Sequence, residues 1–291
     1  MAERFSRDDM RLGGILTAMV TPFDANGGLD EDAAVSLIHH LLENGSDGLV
    51  LAGSTGEAAT MTDEEKVRLW QLGVAESGDA PIIAGTGTYD TRHSVELTER
   101  AHETGVDAML VVTPYYVRPN RRGIRAHYEA VAAATDRPIV AYNIPSRTAT
   151  DMPNDLLAEL AQIDNVAAVK QARYEDLAPI DGMDLLAGND DVLADVMDMG
   201  GTGGICVASN LVGTEMRRII DEPDNRHEIE DGLRDLYKAL AVTVNPIPVK
   251  TAVNMIGHRA GPLRLPLVEA SEEERAVIRE ALERHNLLAT V

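Results

Sequence analysis

The sequence predicts an α/β fold of one architecture, a (β/α)8 barrel followed by a C-terminal helical appendage, and three observations predict it. Short β-branched apolar runs recur at regular intervals along the 291 residues, and amphipathic stretches of helical period separate them. The first run ends in Thr21-Pro22-Phe23-Asp24, without the glycine fingerprint that an open dinucleotide-type sheet would carry there. Eight runs count as strands, at 15–21, 48–52, 81–84, 108–113, 138–142, 166–170, 184–187 and 204–208. They are apolar at nearly every position rather than at alternate ones. A strand covered on both faces needs that pattern, and parallel strands are covered in that way.

Helices are predicted over 31–43, 90–103, 123–134, 154–162 and 192–199. A further one opens on a capping box, Thr62 to Glu65, in which each end satisfies an orphan amide, with Val67, Leu69, Trp70, Gly73 and Val74 as its apolar stripe. After the eighth strand, 211–220 supplies the last barrel helix. Extra helices are expected over 226–244, 249–257 and 271–288, the last behind a second capping box, Ser271 to Glu274. The expected division is a barrel over 1–222 and a helical region over 223–291 packed on it. A rule of ~150 residues per domain would suggest two equal domains, but closed α/β barrels of about 250 residues are the known exception.

Composition narrows the function. An apolar fraction of 44% supports a real core, and with aromatics at 3% the packing falls to Ala, Val, Leu, Ile and Met. The net charge of −22 repels phosphate backbones and anionic lipid, so neither nucleic acid nor a membrane surface is an expected partner. A single cysteine, Cys206, excludes a disulfide framework or a multi-cysteine metal site and suits a reducing cytoplasm. No apolar run follows the first charged residues, and none approaches membrane-spanning length, so neither a signal peptide nor a transmembrane helix is expected.

Active sites of such barrels lie at the C-terminal ends of the strands. The polar residues standing where apolar runs stop are Thr21, Ser54 to Glu57, Thr113, Tyr115, Tyr116, Tyr142, Asn143, Lys170, Gln171, Asn189, Asp190, Ser209 and Asn210. Lys170 is the most informative of them. The chain holds 22 arginines and only four lysines, so arginine carries the basic surface duty, yet a lysine ends the run 166–170. An amine can become a nucleophile once desolvation favours its neutral form, and a guanidinium cannot. The chemistry this suggests is a Schiff base with a carbonyl substrate; the competing reading is a lysine paired with a carboxylate. Tyr142, Tyr115 and Tyr116 could pass protons through phenols that stay neutral near pH 7, joined by the hydroxyls of Ser54 and Thr55. Arg147 could fork onto a substrate carboxylate, or serve only as a loop ion pair.

Other features read as structural. His39 and His40 sit mid-helix without partners at ligand spacing, so no metal site is expected. Cys206, Met197 and Met199 read as packing. Residues 200–204, Gly-Gly-Thr-Gly-Gly, read as a turn into strand eight, with a phosphate cradle as the alternative.

With these residues in place, the sequence resembles the pyruvate-dependent class I aldolases, the family that includes N-acetylneuraminate lyase, from Gly14 almost to its end. The motifs are Gly53 to Glu57, Thr113 to Tyr116, Tyr142 to Thr148, Lys170, Asn245 to Lys250 and Leu263 to Pro266. It is most similar to the branch that condenses pyruvate with aspartate semialdehyde in lysine and diaminopimelate biosynthesis. The resemblance implies a cofactor-free lyase in which Lys170 holds pyruvate as a Schiff base and Tyr142 donates and accepts protons. It further implies that Ser54 and Tyr116 complete a relay, Tyr116 by reaching across a subunit interface. Thr55 and Ile205 match pyruvate-binding positions, and Arg147 matches the arginine that receives the aldehyde's carboxylate. A homotetramer built as a dimer of dimers is implied too. Two departures stand out: Ser54 replaces the family's usual threonine, and Gln171 replaces the usual acidic residue after the lysine. Lys66 lies in the segment where lysine-inhibited members carry polar effector ligands, which predicts weak or absent feedback by lysine. Other expectations to be weighed are a related aldolase acting on sugar or hydroxy-oxo acids, and a non-catalytic barrel sensing carboxylates.

Overall fold

A computed structural model describes residues 12–288. The expectation about a leader segment concerns residues outside that range. Eight strands alternate with helices in the order β1 (Gly14–Ala18), α1 (Glu31–Glu43), β2 (Gly48–Leu51), α2 (Asp63–Glu76), β3 (Ile82–Gly85), α3 (Thr91–Thr104), β4 (Ala108–Val112), α4 (Arg121–Ala132) and β5 (Ile139–Asn143). There follow α5 (Pro145–Thr148), α6 (Asn154–Leu160), β6 (Val166–Gln171), β7 (Asp184–Ala187), α7 (Leu193–Asp198), β8 (Gly203–Cys206), α8 (Ser209–Asp221), α9 (Arg226–Leu240), α10 (Ile247–Met255) and α11 (Glu272–Arg284). The strands form a closed parallel barrel in chain order, sealed where β8 pairs with β1 from Gly14↔Gly203 to Thr17↔Cys206. Among the described residues no helix is long and apolar enough to cross a membrane.

Strand alternation sorts the apolar residues into two layers. Leu16, Val50, Ile83, Leu110, Val140, Ala168, Leu186 and Ile205 point inward and fill the barrel. Their neighbours Ile15, Leu49, Ile82, Met109, Ile139, Val169 and Leu185 point outward into the larger core beneath the helices. Uniformly apolar strands are the consequence of serving both layers. Both capping boxes form as the sequence predicts, Thr62 with Glu65 and Ser271 with Glu274. Trp70 on α2 is fully buried, and its indole N–H donates to the Leu51 carbonyl at 3.3 Å, pinning that helix to β2. Truncating so large a core side chain costs about 3–5 kcal/mol.

Some boundaries differ from expectation. Helix α9 ends at Leu240 rather than at 244, and the chain beyond it crosses the barrel mouth, where Ala241, Thr243 and Asn245 join the lining of a cavity. The short turn α5 was not expected. Met199 is exposed rather than packed, whereas Met197 does pack against the core. Gly200 and Gly201 precede β8 and Gly203 opens it, so they lie at its N-terminal end, the end of the barrel opposite the strand C-termini. There the Thr202 hydroxyl donates to the Leu12 carbonyl at 2.9 Å, so the segment is a turn closing the barrel floor and the cradle alternative falls away.

Candidate active site

Two residues at the ends of adjacent strands define the centre. Tyr142 and Lys170 are direct partners in the β5–β6 register. Alternation from Val140 and Ala168 turns both side chains inward, and the Lys170 amine rests 4.4 Å from the centroid of the Tyr142 ring. Lys170 is 4% exposed, and among the described residues it makes no ion pair. The Tyr142 backbone is held from the neighbouring strand, its carbonyl accepting the Thr113 hydroxyl at 3.0 Å.

The amine opens into a cavity of about 410 Å³ lined by Ser54, Thr55, Tyr142, Arg147 and Asn245 among others. A second cavity of about 270 Å³ shares Ser54, Tyr142, Arg147 and Asn245 and adds the half-buried Tyr115. Thr21 ties the β2 loop in place by donating to the Gly56 carbonyl at 2.6 Å. Arg147, presented by α5, donates to the backbone carbonyl of Asn245 at 2.7 Å, joining the β5 loop to the segment after α9. The β7 side supplies Gly188, Asn189, Asp190 and Asp191. A Cβ on Gly188 would stand 2.7 Å from the Ala172 amide and the Gln171 carbonyl, so only glycine lets β7 close against the end of β6. The Asp190 carboxylate accepts the Val207 and Ala208 amides at 2.8 and 3.0 Å, and burial holds its pKa above the ordinary value despite those bonds.

Of the residues singled out from the sequence, Lys170, Tyr142, Ser54, Thr55 and Arg147 meet at one cavity. Ile205 is fully buried in the inner layer with Tyr142 and lines neither cavity. Tyr116 is 88% exposed and lines neither. Ser209 and Asn210 are structural: Ser209 accepts from Thr17 at 2.9 Å, and Asn210 donates to the Ala18 carbonyl at 2.9 Å. Gln171, next to the lysine along β6, faces the other way, and its side-chain Oε1 accepts from the Asn143 amide Nδ2 at 2.9 Å. The missing acidic residue thus changes an outward network of Asn143 and Asp151, not the charge inside the cavity. Lys66 is buried at the first turn of α2 against Asp63 at 3.3 Å, so its charge is locally balanced.

Sequence reasoning left Asn245, Tyr174 and Tyr237 without a role, and all three line the larger cavity. Tyr174 donates to Asp191 at 3.1 Å, and burial together with that carboxylate pushes its pKa up to about 12. Behind the β2 loop lies an ion pair that sequence reasoning also missed. Lys250 meets Glu57 at 2.6 Å with both side chains buried, and the other Glu57 oxygen accepts the Arg264 amide at 3.0 Å. Phe23 meets two cations, its ring centroid 4.1 Å from the Lys250 amine and 3.8 Å from the Arg264 guanidinium.

A (β/α)8 barrel with an inward-facing lysine that touches a tyrosine and makes no ion pair among the described residues, under a mouth that carries an arginine, has the arrangement of the imine-forming lyase class of barrel enzymes. Known proteins agree. The profile of the dihydrodipicolinate synthetase family matches residues 11–285. The 4-hydroxy-tetrahydrodipicolinate synthase of Moorella thermoacetica is 44% identical over 96% of this chain and 100% of its own length. Among solved structures, dihydrodipicolinate synthase from Cyanidioschyzon merolae, with lysine bound, has a TM-score of 0.91 at 36% identity over 95% of this chain and 99% of that one. The chloride-inhibited synthase of Acinetobacter baumannii complexed with pyruvate has a TM-score of 0.92 at 32% identity, over 96% of this chain and 100% of that one. The chain belongs to the dihydrodipicolinate synthetase family.

Proposed function

We propose that the chain condenses pyruvate with L-aspartate 4-semialdehyde as a 4-hydroxy-tetrahydrodipicolinate synthase. The Lys170 amine adds to the keto carbon of pyruvate, and the carbinolamine loses water to give an iminium ion. Loss of a methyl proton then gives an enamine whose carbon attacks the aldehyde, leaving a hydroxyl where the aldehyde oxygen was. The iminium nitrogen serves as the electron sink for this step. Tyr142, in contact with the amine, handles the protons, and Ser54 extends the relay. Thr55 and the Ile205 backbone belong to pyruvate binding, and Arg147 takes the carboxylate of the aldehyde. Tyr116, standing almost fully in solvent on one chain, fits a role reached across a subunit interface in a dimer-of-dimers tetramer. The observation that carries the reading is a buried amine that makes no ion pair among the described residues, facing a cavity beside a phenol.

Borohydride reduction in the presence of pyruvate tests it. One reduced pyruvate is expected on Lys170 by mass spectrometry, and none on Lys170→Ala. An unmodified wild type, or equal labelling of the variant, overturns the proposal.

A further inference from the structure

We infer that the cavity between α1 and the turn after α10 is a second binding site, for a free inorganic oxyanion of sulfate or phosphate type, and that His258 takes up a proton when the anion enters. The cavity holds about 230 Å³ and is lined by Pro22, Ser36, Leu37, Gly257, His258 and Arg259 among others. It shares no residue with the two cavities at the barrel mouth. Pockets for small organic ligands commonly span ~300–1,000 Å³, so this one suits an ion. Its polar side chains are donors. The Ser36 hydroxyl and the Arg259 guanidinium make no hydrogen bond or ion pair among the described residues. No carboxylate lines the cavity, although the chain carries 48 acidic residues against 26 basic ones. A wall whose fixed charge is one guanidinium, joined by an imidazole and a hydroxyl, complements an oxyanion, with the guanidinium as a fork and the other two as single donors.

The proton follows from a histidine pair that only the fold brings together. His258 meets His40 of α1 with ring centroids 4.0 Å apart. Asn44 Nδ2 donates to the His40 carbonyl at 2.7 Å, which fixes the orientation of the amide, and the same nitrogen lies 3.2 Å from His40 Nδ1. A ring nitrogen facing an amide donor must accept, so His40 carries its proton on Nε2 and stays neutral. Burial and the neighbouring His258 hold the pKa of His40 down, against the Glu43 carboxylate, and burial holds that of His258 down. The charged and titratable groups around the His258 ring are His40, with Glu43 in its field, on α1 and Arg259 on the turn itself. From α10, Asn254 is neutral and bonds the amide and carbonyl of Gly261 at 3.0 Å. The His258 ring has no hydrogen bond of its own among the described residues, so it is the member of the pair free to gain a proton. An anion held by Arg259 brings the counter-charge that favours the imidazolium. Among the described residues no three metal-ligating side chains cluster, so the pair does not form a metal site.

The test is calorimetric titration with sulfate, a dianion at every pH used, against chloride at matched ionic strength, so that screening of the −22 charge is common to both. At pH 6 sulfate should bind saturably and about tenfold or more tighter than chloride, the difference a charge-assisted fork makes. The free ring loses its proton below the ordinary histidine pKa and the occupied ring above it. Affinity should therefore fall by up to ~10-fold per pH unit as pH rises between those two points. Titrations in two buffers of different ionisation enthalpy should register the proton taken up. Arg259→Gln should weaken sulfate about 10- to 100-fold. Ser36→Asp, which sets a carboxylate in the wall, should abolish binding, and His258→Gln should leave weaker binding without the pH slope. Glycerol 3-phosphate should bind no better than inorganic phosphate; tighter binding overturns the assignment to a free ion. The inference is also overturned if sulfate binds no better than chloride, if Arg259→Gln or Ser36→Asp binds like wild type, or if the slope survives in His258→Gln. Native circular dichroism establishes that each variant is folded.

Discussion

Three of the four lysines in this chain are buried, and the surroundings of two of them, Lys250 and Lys170, could hardly differ more. Lys250 is 1% exposed, bonded to Glu57 at 2.6 Å and stacked on Phe23. Burial pushes its pKa down, and the adjacent Glu57 carboxylate opposes that shift. Lys170 is 4% exposed, meets a tyrosine ring instead of a carboxylate, and opens into a cavity. One amine is locked into a brace between the β2 loop and α10, and the other is left available. Burial alone therefore does not identify a reactive lysine; burial without a carboxylate bonded to the amine, beside empty space, does.

The largest effect that tests this contrast is on turnover. Lys170→Ala should reduce kcat by ~10⁴-fold or more, as loss of a nucleophile does, with the unfolding midpoint nearly unchanged. Lys250→Ala should do the reverse in kind, destabilising the fold by about 3–5 kcal/mol in urea titration because Glu57 is left as an uncompensated buried charge. The double change Glu57→Gln with Lys250→Met should recover much of that stability. If Lys250→Ala instead folds normally and fails to form the pyruvate adduct, the two lysines are not separable as described. Tyr142→Phe should slow turnover about 10²- to 10⁴-fold, the usual span for a lost general acid–base group, with the rate of imine trapping falling too. An unchanged trapping rate would move proton handling away from that phenol.

His127 sharpens the contrast with a third buried base, one that has neither a carboxylate bonded to it nor a cavity. Its Nδ1 meets the Thr91 hydroxyl at 3.0 Å, Nε2 is buried without a partner among the described residues, and burial pushes its pKa down to about 4. The unfolded chain therefore holds this proton more tightly. Stability from keeping the ring neutral is complete above pH ~6.5 and is lost as pH falls toward 4, by up to ~3 kcal/mol. Urea titrations at pH 7 and 4.5 should show the loss, and His127→Gln should flatten it. A slope that persists in the variant would assign it to other groups.

Much of this is legible in the sequence. All eight strands are, because each serves two apolar layers and so reads as an unbroken apolar run. Lys170 and Tyr142 are legible because strand ends face the mouth, and a lysine is conspicuous in a chain that otherwise uses arginine. Asn245 is not, since its place depends on a segment outside the barrel folding back over it. Residues 241–244 read as more helix, yet Val242 and Val244 are exposed and the helix has already stopped. Pro246 and Pro248 were the available signal, since a helix rarely runs up to the residue before a proline. Tyr237 was hidden for a related reason: a tyrosine in an amphipathic helix reads as core until the opposing wall is known. Strand limits drifted where apolar residues continue past the ladder. Met19, Val20 and Thr21 are buried, but beyond β1.

The segment over the barrel mouth also bears on how the protein matures. The last strand is complete by Cys206, whereas Asn245, Lys250 and Arg264, which line the cavity or brace its loops, emerge later during synthesis. Domains tend to acquire structure from the N-terminus as the ribosome extends them at about 5–20 residues per second. A nascent chain can therefore hold all eight strands while its reaction chamber still lacks a wall, and competence arrives only with the closing helices.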